Sequence, residues 1–141
     1  MDKRRKTTRP KALNFVIPLV IYPFDIMVSI GETDEAFQKA LRRHMPPNCL
    51  RDLETDPGIL NLGNTTDGRT VNFPTGHQTV IRLKHYPDVV RWQGILSHEI
   101  FHACSFILWR MGIPLEIEKT DEIYAYTIDY VTTEIYKRLL K

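Results

Sequence analysis

Cysteine is scarce in this chain, with only Cys49 and Cys104 among 141 residues. Two such distant cysteines build neither a disulfide framework nor a CxxC metal knuckle. Long apolar runs are missing as well. The longest candidate, ALNFVIPLVIY at 12–22, contains Asn14 and Pro18 and soon meets Pro23 and Asp25. It is too short and too interrupted to span a bilayer. Basic residues precede it as in a signal peptide, but no small-residue cleavage site follows. The stretch therefore reads as core strand, and the expected location is the cytoplasm. No internal repeat or low-complexity tract appears after residue 11. Glycine and proline together number 16, and 43% of the residues are hydrophobic. That is the composition of a globular chain, not of a disordered or fibrous one.

Charge is unevenly placed. Residues 1–11, MDKRRKTTRPK, hold six Lys/Arg against one Asp, whereas the rest holds thirteen basic and sixteen acidic groups. Residues 1–11 read as a basic disordered tail and 12–141 as one domain with a single core. Without aromatic residues between its charges the tail lacks stacking platforms for nucleic acid. Neither nucleic acid nor membrane is an expected partner.

NFVIPLVIY (14–22) and FDIMVSIG (24–31) are rich in β-branched and aromatic residues, so they read as one bent strand or two. Thr33 is a plausible N-cap for a helix with Ala36, Phe37, Ala40 and Leu41 on its apolar side, ended by Pro46 and Pro47. Residues 48–68 read as loop. RTVNF (69–73) and HQTVIRLKHY (77–86) form a hairpin pattern across PTG, with one strand at an edge. Asp88 can open a long helix to about Met111, with Gly112 and Pro114 as stop signals. Thr120 or Asp121 opens a last helix whose core candidates include Ile123, Ile128, Val131, Ile135 and Leu139. This order predicts an α+β fold. A small mixed β-sheet has an edge strand before a long helix, a C-terminal helix follows, and the helices cover one face.

Within the long helix stands SHEIFHAC, residues 97–104. His98 and His102 are four apart, so on a helix they leave one face a turn apart and can grip one metal ion. Glu99 lies beside the first histidine, where it can take a proton from an activated water. With five His and eight Glu in the chain, chance yields roughly one such HExxH match per hundred chains. The uncharged neighbours Ile95, Leu96, Ser97, Ile100, Phe101, Ala103 and Cys104 sharpen the signal, because charges buried in an apolar helix must be paired or metal-bound.

ILSHEIFHAC (95–104) resembles the active-site helix of the zincin metallopeptidases. The resemblance covers 69–141 through element order, and 95–104 plus Glu122 through residues. It implies bound zinc, which in catalytic sites usually takes three protein ligands and a water. The metzincin branch would require a histidine at 108 and a glycine at 105, where this chain has Leu108 and Ser105. The gluzincin branch takes a glutamate from the next helix, and Glu122, twenty residues after His102, has a spacing similar to that of thermolysin-like enzymes. Glu116, Glu118 and Asp121 remain loop or capping charges.

The same resemblance makes Glu99 the general base of a peptidase. Asp129 is a candidate to receive the free N–H of a ligating histidine. Tyr126, Tyr124, His85 and His77 are candidate oxyanion donors. The strand before the active-site helix is expected to add an extended peptide or protein substrate along 79–86. Two other functions remain open: a regulatory protease like the ImmA/IrrE group, and a non-catalytic zinc-binding interaction module.

Overall fold

Alternation of apolar side chains in an extended chain gives each strand two faces, and here both are used. The computed structural model describes residues 12–45, 47, 50, 51, 53, 56, 58–73 and 76–141. Residues 1–11, Pro46, Cys49, Pro74 and Thr75 lie outside them. Strands β1 (Leu13–Leu19) and β2 (Phe24–Ile30) form an antiparallel pair, so the first apolar stretch is two strands. Pro18, which has no N–H to give a ladder, sits in β1, an outer strand. Helix α1 (Asp34–His44) follows, capped as expected by Thr33, whose Oγ1 accepts the Ala36 N–H at 3.1 Å. The hairpin of β3 (Gly68–Phe73) and β4 (Gln78–Leu83) completes a four-stranded mixed sheet of order β1-β2-β4-β3, with β2 and β4 parallel at its centre.

Helices α2 (Val90–Arg110) and α3 (Asp121–Leu139) cover one face. Ile26, Val28, Ile30, Ile81 and Leu83 meet Leu96, Ile100, Ala103 and Ile107 of α2 and Val131 and Ile135 of α3. The opposite face is also covered, contrary to the one-sided arrangement expected. Met27 and Val80 pack there on Phe37 and Leu41 of α1. The reason is visible in β2 and β4, which are buried on both sides, as the strands of a parallel pair generally are.

Arg82 binds that second layer together. It stands on β4 at 0% exposure, over the Phe37 ring at 4.3 Å. Its guanidinium donates to Asp34 Oδ1 at 2.6 Å, Leu60 O at 3.0 Å and Glu32 O at 2.9 Å. Asp34 also accepts the N–H groups of Leu62 and Gly63. Burial pushes the Asp34 carboxyl up, but these hydrogen bonds and the guanidinium outweigh it and hold the carboxyl below its ordinary range.

Helix α2 begins at Val90 with Val89 as N-cap, so Asp88 does not cap it. It ends where Gly112 takes φ 76°, a left-handed conformation that glycine adopts without a Cβ clash. In α3 the buried stripe is Tyr124, Thr127, Val131, Ile135 and Leu139, while Ile123 is turned outward. The Tyr86 hydroxyl donates to Leu139 O, which ties the end of α3 to the start of α2 and makes the two helices antiparallel. Among the described residues, no helix is long and apolar enough to cross a membrane.

Candidate metal and catalytic site

On α2 the residues packed into the core are Leu96, Ile100, Ala103, Cys104 and Ile107. His98 is two positions from Leu96 and from Ile100, about 200° around the helix from each. His98 is therefore exposed and His102 half-buried. Their Nε2 atoms lie 3.0 Å apart. Two ligands at zinc's usual Zn–N distance are separated by about 3.3 Å in a tetrahedral site. The 3.0 Å separation is a hydrogen-bonding contact between the two rings, and it is also close to the spacing that two ligands of one metal ion would need. Phe106 stacks on His102, with ring centroids 6.1 Å apart, and limits where that ring can turn.

Glu99 turns instead toward β3 and is only 6% exposed. Thr70 meets it there: its Oγ1 lies 2.5 Å from Glu99 Oε2 and 3.1 Å from the Glu99 carbonyl oxygen. Gly68 lets strand and helix come this close. A Cβ at that position would stand 2.9 Å from Ile95 Cγ2 and 3.2 Å from Glu99 Oε1. Oε2 is thus held by Thr70 while Oε1 faces the Gly68 backbone. An open cleft of about 570 Å³ lies alongside, walled by Thr65 to Gly68 on one side and by Arg91, Ile95, His98 and Glu99 on the other. Arg91 bridges its end to Asp67 at 3.0 Å.

Thr70, Gly68 and Arg91 were not singled out in the sequence. The signal for Thr70 was present: in RTVNF alternate residues share a face, and a hydroxyl facing an apolar helix needs a partner. Thr70→Val removes that hydroxyl at nearly constant shape. If Glu99 is the base that the HExxH pattern implies, this change leaves the fold intact and lowers turnover about tenfold or more, with KM little changed. Thr70→Ser should restore most of the activity. Equal turnover in the valine variant and wild type would show that Thr70 does not position Glu99.

Other expected residues are placed elsewhere. Among the described residues, no three His, Cys, Asp or Glu side chains are grouped so as to hold a metal ion, so Glu122 does not join the histidines. The twenty-residue spacing divides unfavourably: eight residues continue α2 past His102, ten form the connection 111–120, and only two lie in α3. The eight residues carry the chain about 12 Å beyond His102 before it turns. Glu122 is exposed, about 200° around α3 from the buried Tyr124. Asp129 is exposed on the same strip, and no hydrogen bond joins it to either histidine.

None of the four oxyanion candidates lines the cleft. Tyr124 is buried, its hydroxyl donating to Ile113 O at 2.8 Å, and burial pushes its pKa up. Tyr126 faces solvent beside the β1–β2 turn. His85 packs on Trp92 at 4.3 Å, and His77 stacks on Phe24 at 5.0 Å. Cys104 points into the core, where burial pushes its thiol up to about 12, so it stays protonated.

The edge assignment needs correction. Residues 79–83 lie in β4, between β2 and β3, so both of its sides are already paired. Arg82 of this strand points into the second core. The outer strand nearest the site is β3, which among the described residues pairs with no strand on the side away from β4.

No family model, curated protein or solved structure matches this chain.

Proposed function

We propose that the protein is a zinc-dependent peptidase of zincin type, with His98 and His102 gripping the metal and Glu99 as general base. The observation that carries this reading is the pair of Nε2 atoms 3.0 Å apart beside a buried glutamate held by Thr70. Zinc bound there would act as a Lewis acid, making a water more acidic and a carbonyl more electrophilic. Glu99 accepts the proton of the attacking water as oxygen bonds to the scissile carbonyl carbon, and returns it to the amine nitrogen as the C–N bond breaks. Thr70 keeps one carboxylate oxygen fixed through both transfers. The substrate is an extended peptide laid along the outer side of β3, residues 68–73, where no described strand pairs, in place of the edge first expected at 79–86.

Zinc titration with a competing chelator tests the metal grip. His98→Ala and His102→Ala should each weaken binding by more than about 100-fold, beyond the loss typical of outer partners. Glu122→Ala should cost less than about tenfold, because its side chain is not grouped with the histidines. A loss in Glu122→Ala as large as in His98→Ala would place that carboxylate on the metal and require the start of α3 to move. Zinc-loaded protein should cleave a quenched-peptide library and stop when zinc is chelated. Zinc binding without cleavage would favour the non-catalytic module.

A further inference from the structure

Away from the histidines, the β1–β2 turn and the first half of α3 enclose a groove of about 310 Å³. Val20 and Ile21 at the turn are each 86% exposed, and Tyr126 on the facing helix is 72% exposed. Ile123 and Tyr130 complete that wall, and the Tyr130 hydroxyl donates to Pro18 O at 3.3 Å across the groove. Two β-branched residues at a turn with almost no cover stabilise nothing within the chain. Contiguous exposed apolar surface of this kind marks a contact site.

None of the groove-lining residues is charged, but acidic residues neighbour them along α3. Glu122 and Asp129 stand four before and three after Tyr126, on the same strip of α3, and both are exposed. In the connection before α3, Glu116 and Glu118 are exposed too, and its one lysine, Lys119, is bound to Glu116 at 3.1 Å.

We infer that this groove docks an amphipathic segment of another protein, whose apolar side chains fill it and whose Lys or Arg residues meet the neighbouring carboxylates. A membrane is the poorer occupant because anionic headgroups would face the same carboxylates. A second copy is poorer too, since a two-fold contact sets these carboxylates against their own copies. The inference is independent of the zinc site.

Two fluorescein-labelled peptides with identical leucines at i, i+3, i+4 and i+7 test it, one with lysine and one with glutamate at the polar positions. In anisotropy titrations with the full chain, the lysine peptide should bind at least about tenfold more tightly than the glutamate peptide. Binding should weaken with salt. Val20→Ser with Ile21→Ser should abolish it, because these residues are too exposed for the change to harm the fold. Glu122→Lys with Asp129→Lys should reverse the preference. Equal binding of both peptides, binding of neither, or binding that survives the serine pair overturns the proposal. So does vesicle sedimentation with phosphatidylserine, or concentration-dependent dimerisation, that disappears in the serine pair.

Discussion

Glu99→Gln is expected to leave zinc bound and to lower peptide cleavage by about 10²–10⁴-fold, the usual contribution of a positioned general base. The size follows from the geometry. The amide can still accept from Thr70 and fill the same buried space against Gly68, so the helix and both histidines should stay in place. It can neither accept the proton of the attacking water nor return one to the leaving amine. Both kcat and kcat/KM should fall together, because the lost interaction exists only during the reaction. Assays at matched zinc occupancy separate this from a loss of metal. Cleavage at the wild-type rate in the glutamine variant would remove Glu99 from the mechanism.

Asp34→Ala has the largest expected effect on stability. It strands the guanidinium of Arg82, which is fully buried, and removes the acceptor for the Leu62 and Gly63 N–H groups. Breaking a fully buried ion pair from one side costs about 3–5 kcal/mol, but the Asp34 side chain is 28% exposed, so solvent screens this pair and sets about 3 kcal/mol as the upper end here. Arg82 also keeps the Leu60 and Glu32 carbonyls and the Phe37 ring, which lowers the cost further. Against a domain stability of about 5–15 kcal/mol, a loss of about 2 kcal/mol already shifts a urea midpoint visibly. A loss under about 1 kcal/mol would mean that the pair contributes little.

The pH dependence has a definite sign. The folded Asp34 carboxyl is held below its unfolded value of about 3.9, so its contribution is complete above that value and fades as pH falls through the lower folded one. Asp34→Asn should therefore flatten stability below about pH 4.

The meeting of His98 and His102 was legible because its geometry is local. Spacing of four on a helix sets the meeting of His98 and His102 whatever the rest of the chain does. Strand, hairpin and helix signals were legible for the same reason. What escaped depended on partners far along the chain. Arg82 alternates with apolar neighbours as an exposed charge would, yet it points inward because Asp34, 48 positions earlier, waits there. That pairing, and the insertion of β4 beside β2, placed β3 at the edge. Glu122 shows a limit of spacing itself, since twenty residues reach back to a histidine only if the helix between them ends soon enough. Thr70 was hidden until strand and helix were set face to face.

The most direct test of the account is a zinc count. After equilibrium dialysis against buffered zinc, the wild-type chain should retain one zinc per molecule. The His98→Ala, His102→Ala double variant should retain none, with an unchanged far-ultraviolet circular dichroism spectrum. Zinc retained equally by both proteins, or by neither, would contradict a metal centre at His98 and His102.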